Sequence, residues 1–488
     1  MTSLFHPKEH YERSLIAGYR LLPFKFTQLR ENQYVLTNIA GEYFVADRDV
    51  VERLVAHQLS SSRPEYAELK SRHFLEDGDS TVGRDLLALK VRTKHQHLAQ
   101  FTSLHIFVVT LRCEHSCPYC QVSRQSDDRL AFDLSWETAE KALALAFRSP
   151  ANAFKIEFQG GEPLLNFDLI RRVVEAAELR ASTEDRDVTF VIATNLAMVT
   201  DEILQFCRGH RILISTSLDG PADLHNANRP RPGRDSYQRA VAGMERARSA
   251  LGRDRVAALM TTTQASLSRV RDIIDEYRRL GFDRIFLRSL SPYGFAVKTK
   301  AFDKYRLEEW LRFYKEGLDY IVDLNLRGEH FVEQYAAVVL TKMLTPFNPG
   351  YVDLMSPAGI GIQVMVYNYD GDVYASDEAR MLAEMNDKTF RLGNISANSY
   401  EEIVFSDTLL DSIEETYPGS VPMCSDCAFE PYCGAEPVFH HTSQGDRVGR
   451  KPTSIFCMRN MEIFRYLIEK MEGSADVERI FRSWVARR

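Results

Sequence analysis

The sequence has few cysteines, no long apolar run and no excess of positive charge. Among 488 residues there are 8 cysteines, and no stretch approaches the 18 consecutive apolar residues that a membrane-spanning helix needs. The N-terminal stretch MTSLFHPKEHYERSL lacks the apolar core of a secretory signal. The formal net charge is −7, which disfavours a protein built to bind nucleic acid. We therefore expect a cytoplasmic protein with neither a membrane nor a nucleic-acid partner.

The few cysteines are concentrated in two groups. In a cytoplasmic protein, clustered cysteines bind metal or carry out redox chemistry more often than they form disulfides. The first group is Cys113, Cys117 and Cys120, and the second is Cys424, Cys427, Cys433 and Cys457. The remaining Cys207 lies in an amphipathic segment, where we expect a small buried side chain.

Apolar strand-like runs alternate with helical segments from residue 103 onwards. The strand-like runs are SLHIFVVTL, AFKIEFQ, VTFVIAT, RILISTSL, RVAALMTTT and RIFLRSL. This alternation predicts buried parallel strands covered by helices. Six such units are too few for a closed eight-stranded barrel. The predicted fold class is therefore α/β, with a partial (βα)6 TIM-like barrel over residues 99–300.

The flanking segments predict smaller units. Residues 18–57 alternate apolar with polar positions and then become helical, which predicts a small α+β unit. Residues 60–98 are polar and mostly helical, and we take them as a linker that ends an N-terminal domain of residues 1–98. Residues 301–350 predict a helical connection. In residues 351–488, GIQVMVYNYDGDVYAS predicts a hairpin with YDGD as its turn, and a helix is expected near 458–472.

The first cysteine group favours an iron–sulfur cluster. Three thiolates lie on a tight loop after the first barrel strand, whereas a structural zinc site needs four ligands. His115 is the available fourth ligand, but its neighbours Glu114 and Ser116 predict a solvent-exposed position. The favoured interpretation is a four-iron cluster held by three cysteines, with one iron left open to a small molecule.

The spacing CxxxCxxC, together with FQGGEPLLN at the second strand end and STSLDGPADLHNANR at the fourth, resembles the radical S-adenosylmethionine (radical SAM) enzymes. The resemblance implies that S-adenosylmethionine binds the open iron and is reductively cleaved to a 5′-deoxyadenosyl radical. It also implies cofactor contacts at the carboxyl ends of the strands. These are Tyr119, Gly160, Gly161, Glu162, Thr194, Asn195, Ser217, Asp219, Arg229 and Leu287. Loop packing is the alternative for Tyr119, and strand-end capping for Thr194 and Asn195.

The second cysteine group, taken by itself, fits a zinc site and a cluster equally well. Behind a radical SAM domain it resembles the SPASM extension, which binds auxiliary four-iron clusters. A full SPASM extension has further cysteines where this chain has residues 356–358, Ser376 and Pro437. All three belong to the same inner cluster. The resemblance therefore implies two [4Fe-4S] clusters in total, one of radical SAM type and one auxiliary.

Asp377 follows the predicted hairpin at the place where the related sulfatase-maturating enzymes carry a general base. Such a base is reasonable, because bond formation after hydrogen abstraction also releases a proton. The alternative is that Asp377 caps the helix predicted at DEARMLAEM.

The overall pattern resembles the His-Xaa-Ser system radical SAM maturases. It implies a ribosomally made precursor peptide as substrate and a carbon–carbon, ether or thioether crosslink, or an oxidation, as product. The N-terminal domain would bind the leader by strand addition, with a dimerisation or docking role as the alternative. A flavodoxin or ferredoxin would supply electrons. Two other functions stay open: a radical SAM enzyme that modifies RNA, and a non-catalytic iron–sulfur binding or regulatory protein.

Overall fold

The computed structural model describes residues 18–78 and 81–485, so the N-terminal stretch examined for a secretory signal lies outside the described residues. The strands are β1 (Tyr19–Leu21), β2 (Phe24–Arg30), β3 (Gln33–Asn38), β4 (Tyr43–Asp47), β5 (Leu75–Asp77), β6 (Leu104–Thr110), β7 (Ala153–Gly160), β8 (Asp187–Thr194), β9 (Leu213–Ser217), β10 (Val256–Leu259), β11 (Arg284–Ile285), β12 (Val332–Glu333), β13 (Val364–Tyr367), β14 (Asp372–Tyr374) and β15 (Arg391–Asn394).

The α-helices are α1 (Arg48–Val55), α2 (Pro64–Ser71), α3 (Val82–His95), α4 (Arg129–Phe132), α5 (Trp136–Ala146), α6 (Phe167–Glu184), α7 (Asp201–Gly209), α8 (Ala222–Asn228), α9 (Ser236–Leu251), α10 (Val270–Arg279), α11 (Phe295–Lys298), α12 (Leu307–Leu326), α13 (Gln334–Leu344), α14 (Asp377–Ala383), α15 (Tyr400–Val404), α16 (Asp407–Glu415), α17 (Pro437–Gln444), α18 (Ile455–Gly473) and α19 (Ala475–Trp484). Within the described ranges, no helix combines the length and apolar character needed to span a membrane.

The largest sheet has eight strands in the order β10-β9-β8-β7-β6-β13-β14-β15. Strands β6 to β10 are parallel neighbours, as expected for βα units wound in one direction. Helices α5, α6, α7 and α9 lie between these strands along the chain. This arrangement confirms the predicted α/β fold with a partial TIM-like barrel.

The sixth barrel strand is shorter than RIFLRSL predicts. Only Arg284 and Ile285 form a strand, β11, and it pairs with β12 rather than with β10. Beyond it, the N–H of Leu287 donates to a carboxylate oxygen of Glu333 at 3.1 Å. A side chain therefore satisfies a backbone group that a strand ladder would otherwise satisfy. The following carbonyl, of Arg288, accepts from the N–H of Thr262 at 3.1 Å, so the segment still lies beside the end of β10.

The predicted hairpin is present as β13 and β14, and its turn contains Gly371 at a φ of +83°. Strand β13 also pairs in parallel with β6, which the sequence did not predict. It covers the edge of the barrel's first strand, an edge that would otherwise expose unpaired backbone groups.

The N-terminal unit extends further than residues 18–57. Strands β2, β3 and β4 form an antiparallel sheet, and β5 pairs with β1. Residues 60–98, predicted as a linker, therefore contribute α2, β5 and α3 to structured packing. One face of the three-stranded sheet packs on α1 and α2 through Leu36 and Ala46, while Val35 and Tyr43 join the core formed with the C-terminal helices.

The side chains of β7 identify the face of the sheet that lines the barrel interior. Phe154, Ile156 and Phe158 are buried in the core with the covering helices, whereas the alternate residues Glu157 and Gln159 are only partly buried. Successive side chains of a strand point to opposite faces. The polar pair therefore points into the barrel interior.

Candidate active site

The cysteine loop follows β6 and is anchored at its start by a buried ion pair. The guanidinium of Arg112 donates to the two carboxylate oxygens of Asp133 at 2.7 and 2.8 Å. The hydroxyl of Thr110 donates to the same carboxylate at 2.6 Å. Such a bidentate pair fixes direction as well as distance. No local sequence pattern signals this anchor, because the two partners lie 21 residues apart.

Cys113, Cys117 and Cys120 are free thiols on this loop. Burial raises the pKa of Cys117 to about 12 and also raises the pKa of Cys113. Although these side chains are only partly buried, a raised thiol pKa disfavours the thiolate, and iron would supply the positive charge that stabilises it. Three unpaired thiols on one loop fit the expected three-cysteine cluster.

The two glycines after β7 let the next loop contact the cysteine loop. A Cβ atom on Gly160 would lie 2.2 Å from the carbonyl oxygen of Thr110, and one on Gly161 would lie 2.2 Å from that of Arg112. The N–H of Gly161 donates to Thr110 at 2.8 Å, and the N–H of Glu162 donates to Arg112 at 2.7 Å. Any larger residue would therefore push the two loops apart. The cofactor contact predicted for the glycines stays a prediction.

Glu162 is fully buried and connects two strand ends. Its carboxylate accepts from the hydroxyl of Thr194 at 2.6 Å and from the N–H of Asn195 at 2.8 Å. Burial, followed by repulsion from Glu114, raises the pKa of Glu162 to about 8. A buried acid in this state would be stabilised as a carboxylate by a neighbouring cation. The hydroxyl of Thr194 also accepts from the N–H of Leu196, which agrees with strand-end capping.

His115 is buried, with 4% of its surface exposed, so the predicted solvent-exposed position is wrong. The side-chain amide of Asn195 donates to Glu114 at 2.9 Å and lies 3.0 Å from the Nδ1 atom of His115. Ligand atoms of Cys113, Glu114 and His115 lie within 4.8 Å of one another. Asn195 therefore attaches the cysteine loop to the end of the third barrel strand.

Tyr119, Asp219 and Arg229 form a second buried network beside the loop. The carboxylate of Asp219 accepts from the hydroxyl of Tyr119 at 2.5 Å and from two nitrogens of Arg229 at 3.0 and 3.1 Å. Burial alone would raise the pKa of Asp219, but Arg229 and His225 outweigh it and hold that pKa below its usual value. Asp219 therefore positions Tyr119 and Arg229, and its predicted contact with the cofactor stays a prediction.

Ser217 lies at the end of its strand, and Leu287 lies two residues beyond β11. Ser217 is the last residue of β9 and is partly buried. The side chain of Leu287 is 1% exposed, and its N–H is already bound to Glu333. A backbone contact from Leu287 to a cofactor would therefore use its carbonyl group.

Asp377 is the first residue of α14, but it does not cap that helix. The hydroxyl of Ser376 does so, accepting from the N–H of Ala379 at 3.1 Å, and the capping alternative for Asp377 is therefore wrong. The carboxylate of Asp377 instead accepts from Arg380 at 3.0 Å. Arg380 is fully buried and also donates to the carbonyl of Val122, two residues beyond Cys120. The acid is thus attached to the cysteine loop.

Sequence reasoning missed several polar groups in the barrel interior. Glu157 and Gln159 are hydrogen bonded to each other at 2.9 Å on β7. Burial raises the pKa of Glu157, and Asp377 and Arg288 lie close enough to influence it. The signal was available: polar residues alternate with apolar ones on a strand that should be buried on both faces. In a partial barrel, that alternation identifies the interior.

The second cysteine group comes together although Cys457 is distant in sequence. Cys424, Cys427, Cys433 and Cys457 line one cavity of about 160 Å³. Phe26 and Thr27 of β2 form part of its wall. Of the positions where further cysteines were expected, Ser376 caps α14 and Pro437 begins α17. Four thiols around one cavity fit a four-ligand metal site.

Comparison with known proteins identifies the domain. Residues 107–276 match the Radical SAM superfamily. The chain is 30% identical over 140 residues to the uncharacterized protein MJ0907 of Methanocaldococcus jannaschii, a match that covers 28% of this chain and 46% of that protein. It is 22% identical over 382 residues to a cysteine-type anaerobic sulfatase-maturating enzyme of Clostridium perfringens, covering 77% of this chain and 98% of the relative.

Two solved structures share the fold. Native anSMEcpe with bound AdoMet superposes with a TM-score of 0.63 at 16% identity, covering 78% of this chain and 99% of that one. Streptococcus suis SuiB bound to the precursor peptide SuiA superposes with a TM-score of 0.53 at 15% identity, and the match covers 90% of this chain and 99% of that one. Residues 107–276 therefore form a radical SAM domain, and the matches indicate an enzyme.

Proposed function

We propose that this enzyme modifies a ribosomally made precursor peptide, installing a side-chain crosslink or an oxidation after hydrogen abstraction. The similarity to a sulfatase-maturating enzyme and to SuiB, which was crystallised with its precursor peptide, supports a peptide or protein substrate. The observation that carries the proposal is the attachment of Asp377 to the cysteine loop through Arg380. This attachment supports an acid that acts beside the three proposed cluster ligands.

The chain's own residues would hold the cofactors and move a proton. Cys113, Cys117 and Cys120 would ligate the first cluster, and buried Glu162 offers its carboxylate to a cationic group of the cofactor. When bound, S-adenosylmethionine and the clusters supply a 5′-deoxyadenosyl radical and an acceptor for the second electron. Forming the new bond releases a proton from the peptide, which Asp377 would accept. Arg380 holds that carboxylate in a fixed direction.

The second cysteine group would hold an auxiliary [4Fe-4S] cluster, in a SPASM-like extension of residues 351–488. Four thiols around one cavity support this assignment. The domain boundaries predicted from the sequence, 1–98, 99–300, 301–350 and 351–488, are kept here as part of the proposal. A flavodoxin or ferredoxin would supply electrons.

The N-terminal unit would bind the leader of the precursor at the edge of β4. The opposite edge strand, β2, lies beside α18, where Arg465 donates to the carbonyl of Gln28 at 2.8 Å and Arg30 donates to the carbonyl of Glu469 at 3.4 Å. On β4, the carbonyl of Tyr43 accepts from Arg72 at 2.6 Å. Strand β4 has no neighbouring strand on its outer side in the described sheet, which suits addition of an extended peptide.

The test is iron content and 5′-deoxyadenosine formation by anaerobically reconstituted protein under dithionite. About eight irons per chain with deoxyadenosine would support two clusters and a radical enzyme. Cys113→Ala should abolish deoxyadenosine, because a cluster ligand is lost. Cys207→Ala is the matched control, since Cys207 is a buried cysteine on α7, and it should keep activity. Deoxyadenosine formation by the Cys113→Ala protein would contradict the assignment.

A further inference from the structure

A polar chamber lies between the segment that follows β11 and residues of the C-terminal part of the chain. Three acidic residues, Asp353, Glu378 and Glu436, line it together with Arg288 and Arg459. These acids lie close in sequence to the three positions that lack the expected cysteines. We call this space the acid chamber. Its volume is about 30 Å³, room for about two water-sized groups.

The acid chamber is lined by more acidic than basic side chains. Arg459 is engaged by its own neighbours, donating to the hydroxyl of Ser289 at 2.6 Å and lying over the ring of Phe456. The nearest nitrogen of Arg288 is 4.0 Å from the carboxylate of Glu378. Glu436 accepts a backbone N–H from Phe439 at 3.2 Å. Three acidic residues therefore face two guanidinium groups. Burial and repulsion between the acids raise the pKa values of Glu378 and Glu436, as expected for acids without enough cationic partners.

Two buried polar groups that line the acid chamber have no partner in the described part of the chain. The hydroxyl of Tyr293 and the indole nitrogen of Trp310 make no hydrogen bond there, and the residues are 1% and 2% exposed. Polar groups at this depth normally have partners, because an unsatisfied one costs free energy. The Tyr293 hydroxyl can accept from a donor that enters the chamber, whereas the indole N–H of Trp310 can only donate and is not satisfied by a cation.

We propose that the acid chamber holds the ammonium group of a side chain of the peptide substrate, next to the residue that reacts at Asp377. This inference rests on the proposed function in one respect, which is that the cation belongs to a peptide substrate. Glu378 follows Asp377 directly in α14, so a substrate side chain in the chamber and one at Asp377 would be near neighbours along the peptide. The oxygens of the three acids do not gather within 4.8 Å in the described structure, which favours an organic cation over a metal ion.

The test uses butylammonium chloride as the probe, with butanol as the uncharged match. The chain has 3 tryptophans, so reconstituted protein labelled with 5-fluorotryptophan gives few ¹⁹F resonances, and Trp310→Phe assigns the one in the chamber. We expect a saturable shift of the Trp310 resonance with butylammonium and none with butanol. Glu378→Gln combined with Glu436→Gln should raise the apparent Kd about tenfold or more, since charged hydrogen bonds are lost. The amide oxygen of a glutamine at position 436 would still accept the N–H of Phe439.

Controls make the outcome decisive. Glu415→Gln changes a half-exposed acid outside the chamber and should bind as the unmodified chain does. If the double variant does not fold, Glu378→Gln alone is used. An equal response to butanol, or unchanged binding by the variants, would overturn the proposal. So would retention of micromolar Mn²⁺ by the same acids with no butylammonium response, which would indicate a metal site. Deoxyadenosine is measured on the same sample: its absence would count against the proposed function while the amine result stood.

Discussion

Replacing Glu378 by glutamine should stabilise the protein at alkaline pH and have a smaller effect at acidic pH. Burial, followed by the charges of Asp353 and Asp377, raises the pKa of Glu378 from 4.5 to about 7, although Arg288 opposes the shift. Glu436 and Tyr293 line the same space. A raised carboxyl pKa contributes stability that is complete below the unfolded pKa and is lost as the pH rises through the folded pKa.

The stability lost on complete ionisation of Glu378 is about 3 kcal/mol of unfolding free energy, of which about 2.5 kcal/mol is lost between pH 5 and pH 8. This is an upper limit, because neighbouring acids titrate together. Glutamine keeps the shape and removes the charge. We expect Glu378→Gln to raise Tm by about 2–5 °C at pH 8, and by clearly less at pH 5.

Differential scanning fluorimetry of both proteins across this pH range measures the difference. Glu137→Gln, which changes a highly exposed acid on α5, is the control and should leave Tm unchanged at both pH values. The reasoning is refuted if the Glu378→Gln gain is the same at both ends of the range, or if the variant is less stable at pH 8.

Three further variants test other parts of the site. Cys427→Ala should lose about half the iron, since one of two clusters loses a ligand, and full iron content would refute an auxiliary cluster at this position. Asp377→Asn should still form deoxyadenosine but yield about 100-fold less modified peptide, as expected for loss of a general base. An unchanged yield would remove Asp377 from the mechanism. Gly161→Ala should displace the cysteine loop and lower iron at the first cluster, because its Cβ would lie 2.2 Å from the carbonyl oxygen of Arg112. Gly209→Ala has open space at its Cβ and is the control; equal iron in both would contradict the close contact.

Elements defined by local pattern were predictable from the sequence. The five parallel strands β6 to β10 and the hairpin of β13 and β14 occur where alternation and turn residues indicated them. The sixth strand was predicted too long, because its apolar pattern says nothing about Glu333, which binds the N–H of Leu287 from 46 residues away. The added pairing of β13 with β6 joins segments about 260 residues apart, and no local pattern encodes it.

In the candidate site, too, features set by short sequence spacing were predictable and those set by contacts between distant residues were not. The cysteine positions and the GGE motif were readable because their spacing is short. The burial of His115 was not, because its partner Asn195 lies 80 residues away. The barrel-interior residues Glu157 and Gln159 were visible in the alternation of β7 but were passed over, since a parallel strand is usually apolar on both faces.

The pairing of β6 with β13 limits how this enzyme can be taken apart. The first strand of the barrel has its neighbour on one side in β7 and on the other in the cysteine-rich half of the chain. A fragment that ends after the barrel would leave the edge of β6 open to pair with other molecules, a common origin of aggregation. Exchanging the cysteine-rich half with that of a relative would also require matching the β6 edge. The barrel and the cysteine-rich half should therefore be expressed together, and an exchange with a relative should include both.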